Sequence, residues 1–332
     1  MTLSLKLCLH IAQYSGFIIG QVTNSLLLFL ILTRAERLFG SYRHVMTVFA
    51  FYSLLYTWIE FISQPVMHIK QSMFIVMLDG PFQFQISSGN DITCLYCASF
   101  ALCISLLAAQ FYYRYIAVCK YKSSIFQRKC HNFRPNNLER IRGWKLSVIF
   151  VPCLICFVVW FAFVYYGMHN TVEKQKFMRY QDMNKIGNKN LFRDVMIENY
   201  DADITQESFI ASLYWTYEEN GQRILRYRDI LGSAGCTFIL VCLSFMRREK
   251  TSDFRLPVSP FPRITPRFQT LLPFFMMYCP VGALITLPFF EIEVGQLGNF
   301  VGAAAGTYPA IEPLIAIFFI KDFRNAVLCK RI

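Results

Sequence analysis

Seven uninterrupted apolar stretches of bilayer-spanning length divide this chain, covering residues 9–32, 45–68, 92–119, 144–166, 229–246, 269–290 and 297–320. A hydrocarbon core of about 30 Å needs about 20 residues of helix. Inside it a lone segment can satisfy its backbone only as a helix. The fifth stretch contains Gly232 and Gly235, and the sixth contains Pro273, Pro280 and Pro288. Both residue types are more frequent in membrane helices than in soluble ones, so neither stretch is disqualified. A hydrophobic content of 55%, 16% charged residues and a mean hydropathy of +0.37 are wrong for a soluble chain. The predicted fold is all-α: one seven-helix membrane domain spanning residues 1–332.

A net charge of +12 would suggest a nucleic-acid partner in a soluble protein. Here its placement along the chain is a topological signal, and no nucleic-acid partner is expected. With the N-terminus outside, the inner segments carry Arg34, Arg37 and Arg43, eight basic residues between Lys120 and Lys145, six from Arg247 to Arg267, and four in the tail of residues 321–332. The short outer segments hold only Lys6 and Lys70. The positive-inside rule therefore predicts an extracellular N-terminus and a cytoplasmic C-terminus. Residues 167–228 form a long outer loop with nine basic and nine acidic residues, the segment expected to cover the outer mouth. No cleavable signal is expected, because the apolar run after Lys6 is too long and lacks a small-residue cleavage site.

Chemistry-bearing clusters are sparse. Cys97, Cys103, Cys153, Cys156, Cys236, Cys242 and Cys279 fall within spans and read as buried free thiols. Cys94 and Cys97 have a metal-like spacing, but no second pair or nearby histidine completes a site. The histidines at 10, 44, 68, 131 and 169 are scattered, and no nucleophile stands at sensible spacing from a base. Neither an enzyme, a metal nor another cofactor is expected. The chain has no internal repeat of the kind that builds two-halved transporters.

Against this background Arg114 stands out, in a run reading AAQFYYRYIAVCKYK. It lies about 8 Å of helix from the inner end of the third span. Either it snorkels to headgroup phosphates among Tyr112, Tyr113, Tyr115 and Tyr121, or it faces the bundle and holds a switch. The helix face carrying it continues outward through Leu107, Cys103, Phe100 and Tyr96, an apolar and aromatic wall with one phenol. Such a wall suits a small, mostly apolar ligand with one or two hydrogen-bonding groups, or it is ordinary helix packing. Glu60 lies about 22 Å up the second helix and Glu312 about 12 Å up the seventh, too far apart in depth to share an ion. Glu312 and Arg114 lie at similar depth, and a charge pair between them would make both tolerable in the membrane.

Several motifs in a fixed order carry a resemblance. They are LFGSYRHVM in the first inner loop, QPVMH closing the second span, FYYRYIAVCK in the third, PVG and LPFFEIEVG around the end of the sixth, and YPAIEPLIAIFFIKDFR in the seventh. Together the chain resembles the nematode serpentine chemoreceptors of the Str superfamily (class r and class j-like), a branch of the G-protein-coupled receptors. The resemblance implies a plasma-membrane receptor of a sensory-neuron cilium that binds a small odorant-like molecule outside and activates a heterotrimeric G protein inside. It implies that Arg114, flanked by Tyr113 and Tyr115, contacts the G protein or is restrained at rest. It makes the stretch holding Pro309, Glu312 and Pro313 a hinge, since two prolines remove backbone hydrogen bonds. Pro65 would do the same in the second helix. The ligand-pocket candidates are Tyr96, Phe100, Cys103, Glu60 and His68, the last at the outer mouth, where a lone histidine is more often an interfacial polar residue.

Two departures from the family pattern stand out: Glu312 where relatives have Asp, and a proline-rich run over residues 253–273 where relatives carry a Lys-rich helix. Five prolines there cannot share one continuous helix. The tail KDFRNAVLCKRI reads as a short interfacial helix, with Cys329 a candidate for palmitoylation. The alternative function is a ligand-gated channel or small-solute transporter, disfavoured by the charge topology and by the scarcity of embedded carboxylates.

Overall fold

The computed structural model describes residues 5–39, 42–82, 84–127, 148–175, 196, 197, 200, 207–217, 222–252, 271–319 and 321–328. The side chains of 34–39, 114–127 and 246–252 lie outside that description. So do residues 253–270 of the proline-rich run, the Arg34–Arg37 loop side chains and Cys329.

Seven helical segments are long and apolar enough to cross a membrane: Lys6–Thr33, Arg43–Ser63, Ile86–Tyr113, Val148–Met168, Tyr227–Phe245, Leu271–Phe290 and Gly298–Phe319. They belong to α1 (Leu5–Phe39), α2 (Tyr42–Ser63), α3 (Ile86–Gln127), α4 (Val151–Met168), α5 (Tyr227–Ser252), α6 (Cys279–Thr286) and α7 (Gly298–Phe319), followed by the short α8 (Lys321–Val327). The third segment is the most buried, and α3 packs against α2, α4 and α5 as the central helix of the bundle. The sixth is built in pieces. A π-helical turn, Phe274–Tyr278, precedes α6, and a 3₁₀ turn, Leu287–Phe290, follows it. Pro273, Pro280 and Pro288 sit at the joints, where each missing N–H falls at the start of a segment. The glycines of the fifth span are packing sites. A Cβ on Gly232 would fall 2.7 Å from the Phe163 carbonyl oxygen, and one on Gly235 2.6 Å from the Phe163 ring, so α4 and α5 approach closely there.

The second span differs from the sequence expectation of 45–68. The helix stops at Ser63, Gln64 turns the chain at φ 37°, and QPVMH enters a strand. Pro65 therefore starts β1 (Pro65–Lys70) instead of bending α2. A two-residue turn with Gln71 at φ 52° leads into β2 (Met73–Leu78), which pairs antiparallel with β1 in the register Pro65↔Leu78 to Lys70↔Met73. β3 (Phe209–Leu213), from the long loop, pairs with β2 from Met73↔Leu213 to Met77↔Phe209. A smaller hairpin of β4 (Trp215–Tyr217) and β5 (Arg223–Leu225) follows it. The bundle is thus mostly helical, with a three-stranded sheet at the end that carries the chain's N-terminus.

Both faces of this sheet are buried. Met67, Ile69, Phe74, Val76 and Ile210 join the bundle core, whereas Val66, Met73, Ile75, Met77, Phe209, Ala211 and Leu213 form a second core with Met196 and Tyr200. The two sets alternate along the strands, as the period-2 geometry of a pleated strand requires. Polar contacts fix the edges. Asn299 of α7 accepts from the Met67 N–H at 2.8 Å and donates to the Tyr200 hydroxyl at 2.7 Å. Asp79, just past β2, pairs with Lys6 at 3.1 Å and with His10 at 3.3 Å on α1.

Candidate functional site

Beneath the sheet lies an apolar cavity of about 50 Å³. Its roof is Met67, Phe74 and Val76 of the sheet, and its walls are Tyr96, Cys97 and Phe100 of α3, Trp160, Val164 and Met168 of α4, and Cys236 of α5. Val281, Leu284 and Ile285 of α6 and Ala305 of α7 complete it. No Asp, Glu, His, Lys or Arg lines the cavity; the residues there that carry polar groups are Tyr96, Cys97 and Cys236. Phe100 and Trp160 meet edge-on across it, with centroids 6.5 Å apart.

Tyr96 and Phe100, read from the sequence as pocket residues, both lie on this wall. Cys103 is nearly two turns further along α3, fully buried and close to both Glu60 and Glu312. Glu60 lies behind the wall and touches the cavity only through Tyr96, whose hydroxyl donates to Glu60 Oε1 at 3.5 Å. His68 points to the opposite face of the sheet, since its neighbours Met67 and Ile69 face the bundle. Its Nδ1 lies 3.3 Å from the Tyr200 hydroxyl, and its ring stands edge-on to that phenol. Burial, helped by the nearby Lys70, pushes the His68 pKa down to about 4, so the ring is neutral at pH 7.

The contribution of α4 was not anticipated. Trp160, Val164 and Met168 lie one turn apart on one face, but the helix is apolar all round, so no stripe marks the inward side. The roof was missed for a different reason, the reading of PVMHIK as the end of a helix.

A buried ionic pin holds the roof in place. Lys174, in the long loop, donates from Nζ to the carbonyls of Gly167 at 3.0 Å, His169 at 3.1 Å and Ala211 at 2.6 Å. It pairs with Asp229 at the start of α5 at 2.5 Å, both side chains being 2% exposed. Asp229 also accepts from the Leu213 N–H at 3.3 Å and faces Arg226, which in turn pairs with Glu173. Burial holds the Lys174 pKa below the ordinary lysine value, and the Asp229 carboxylate opposes that shift. Further along, Glu291 in a left-handed conformation (φ 54°) gathers the Trp215 indole at 2.7 Å, the Tyr217 hydroxyl at 2.5 Å and Arg223 at 3.5 Å. That contact ties the β4–β5 hairpin to the end of the sixth segment.

At the far end of the bundle, Tyr113 is buried with Leu27, Ile31, Val45, Met46 and Phe323. Arg114 and Tyr115 continue the α3 backbone, but their side chains lie outside the described residues. Pro309 and Pro313 lie inside α7, which continues through both. Asn24 of α1 donates to the Pro309 carbonyl at 2.7 Å, and Thr23 donates to the Ala310 carbonyl at 3.1 Å.

A seven-helix membrane bundle with a roofed apolar cavity between its central helices has the architecture of a membrane receptor. The chain belongs to the family described as serpentine type 7TM GPCR chemoreceptor Str, whose profile it matches over residues 9–247 and 267–328. It is similar to serpentine receptor class r-10 of Caenorhabditis briggsae, 29% identical over 331 residues covering 95% of this chain and 88% of the relative. The Caenorhabditis elegans protein of the same name is also 29% identical, over 95% of this chain and 88% of its own length. G-protein coupled receptor str-33 of C. elegans is 25% identical, over 98% of this chain and 92% of its own. The protein is a multi-pass membrane protein of a receptor family.

Proposed function

We propose that this receptor binds a small uncharged molecule, odorant-like in size and polarity, in the cavity beneath the sheet and activates a heterotrimeric G protein at the opposite end of the bundle. The sheet end is then extracellular, a reading the distribution of Lys and Arg supports, and the basic inner loops face an acidic leaflet and the partner together. The observation that carries the reading is the cavity itself. It touches five of the seven helices, so a ligand there contacts most of the bundle at once and favours whichever arrangement fits it better. Its walls carry no charge and are almost wholly apolar, the Tyr96 hydroxyl being turned to Glu60 behind the wall, which disfavours ions and zwitterions and suits an apolar molecule. In this reading Tyr96 and Phe100 contact the ligand, while Glu60, Cys103 and His68 support the surrounding shell. Arg114, Tyr113, Tyr115 and Glu312 belong to the inner switch, with Pro309 and Pro313 shaping α7. In this reading the receptor resides in the plasma membrane of a sensory-neuron cilium.

The test is a second-messenger assay in cells expressing the chain, screened against neutral volatile and water-soluble molecules alongside Phe100→Ala and Arg114→Ala at matched surface expression. The reading expects a response that Phe100→Ala shifts to higher ligand concentration and Arg114→Ala uncouples. A ligand-gated current that persists when G proteins are blocked would replace it with the channel reading.

A further inference from the structure

The β4–β5 hairpin carries more apolar surface than the described residues around it cover. Every residue of β5 is exposed, and Ile224 and Leu225, which project from opposite faces of the strand, are 45% and 44% exposed. Tyr217 across the hairpin, Phe290 at the end of the sixth segment and Tyr227 at the start of α5 are more exposed still. These side chains form one surface. Leu225 lies opposite Trp215 in the hairpin register, the Trp215 ring meets Phe289 edge-on at 5.4 Å, and Phe289 meets Phe290 at 5.8 Å. Two strands of three residues each are too short to hold together alone in water, so whatever lies against this surface helps to keep the hairpin formed.

The polar groups of the hairpin are already matched. The Trp215 indole and the Tyr217 hydroxyl donate to the Glu291 carboxylate. The Arg223 guanidinium donates to the Tyr217 hydroxyl at 3.0 Å and lies over the Trp215 and Tyr217 rings at 5.1 and 5.5 Å. Moving the flank of the hairpin out of water therefore removes apolar area and strands few polar atoms. Arg223 keeps more than half of its side chain exposed, a cation at the edge of an aromatic cluster.

Position along the chain identifies what covers the surface. Tyr227 is the first residue of the fifth membrane-crossing segment and Phe290 is the last of the sixth. The surface thus begins at the level where both segments end, and one turn deeper on α5 it continues into Leu231, exposed on the outside of the bundle. Aromatic rings, aliphatic side chains and an arginine at that level match the boundary between acyl chains and phosphates, where apolar bodies point inward and polar heads lie among the headgroups. The connection between the strands carries Glu218 and Glu219, charges that lipid phosphates repel, so the flank of the hairpin and not its tip meets the layer.

We propose that the β4–β5 hairpin is an interfacial anchor, its Ile224–Leu225 flank seated in the headgroup layer of the leaflet at the sheet end and Arg223 facing lipid phosphate. The anchor bears on the bundle through Tyr214, between β3 and β4, whose hydroxyl donates to the carbonyl of Ile285, a wall residue of the apolar cavity, at 2.5 Å. Lipid contact at the hairpin braces that wall. The anchor stands whatever the cavity binds and whichever side of the membrane the sheet faces.

The test uses the wild-type receptor in phosphatidylcholine nanodiscs doped with a phosphatidylcholine that carries a diazirine in its headgroup region, irradiated, digested and mapped by mass spectrometry. Carbene adducts are expected on residues 223–227 at a yield comparable to that at Phe290. Adducts at Phe290 with none on the hairpin overturn the proposal. Ile224→Cys and Leu225→Cys, spin-labelled and corrected for labelling of the native thiols, give a second reading. On at least one face the label is expected to collide with oxygen, relative to a water-soluble nickel complex, several-fold more than the free label does in buffer. No such preference at either position overturns the anchor, whether the nickel complex reaches both labels or a second copy or another part of the chain shields them.

Discussion

Replacing Lys174 by Met should release the roof of the cavity. The ammonium is buried, and its four acceptors come from α4, the loop after it, β3 and α5. Removing one member of a buried pair leaves the other uncompensated and costs about 3–5 kcal/mol. Asp229 keeps the Leu213 N–H and Arg226, which argues for the lower half of that range; the three carbonyls that lose the ammonium donor argue for the upper. Because the pin joins the roof to the bundle, most of this cost should fall on local opening of β3. At about 1.4 kcal/mol per tenfold change, the loss corresponds to roughly two to three and a half powers of ten in amide protection over residues 209–213. Hydrogen exchange read by mass spectrometry on receptor in nanodiscs measures this directly. Asp229→Leu should produce a similar loss, and the double variant should lose less than the sum, because it removes both charges together. Additive losses, or single variants whose β3 protection is unchanged, would refute the pin and leave β3 held by sheet pairing alone.

Two further outcomes follow from the same region and from the helix packing. The unfolded chain titrates His68 near its ordinary 6.5 and the folded chain near 4, so between those values the unfolded state holds more protons and stability falls as the pH drops. The full effect is roughly 3 kcal/mol, and the Tm difference between wild type and His68→Gln should widen against the wild type on acidification through that window; parallel profiles would contradict it. Gly167→Ala should cost about 1–3 kcal/mol, because its Cβ would fall 2.7 Å from the Gly232 Cα, a backbone atom that cannot step aside. Gly282→Ala in α6, with nothing within 4 Å, should be neutral or slightly stabilising, and equal melting shifts for the two would remove close packing as the cause.

The helices were legible in the sequence because a bilayer enforces one signal, a long apolar run, and all seven were found with ends shifted by a few residues. The sheet was not, because both of its faces are buried and the alternation that marks a half-exposed strand is absent. A signal was nevertheless present. MFIVML is a six-residue apolar run between Gln71-Ser72 and Asp79-Gly80, too short to span a membrane and bounded by turn residues. On α3 the helical repeat drawn back from Arg114 passes through Tyr96 and Phe100, which line the cavity, and through Cys103 and Leu107, which do not, because the repeat gives a face of one element and not where its neighbours leave space. Lys174 gave no such handle. It is one of nine basic residues in a loop of balanced charge, and its partner Asp229 becomes visible only when α5 folds back beside α4.

The two prolines of α7 show how a local sequence rule acquires its meaning from packing. Pro313 has no N–H, so the carbonyl of Pro309, four residues earlier, loses the donor an unbroken helix would supply. In a soluble helix water would fill the gap; in a bundle interior an unmatched carbonyl costs about 1–3 kcal/mol. Asn24 supplies the donor at 2.7 Å, anchoring its own amide on the Gly20 carbonyl at 2.9 Å. Thr23 adds a bond to the next carbonyl along α7. The stretch read from the sequence as a loose hinge is therefore clasped by α1, and any rotation of α7 at Pro309 must first break a buried hydrogen bond to a different helix.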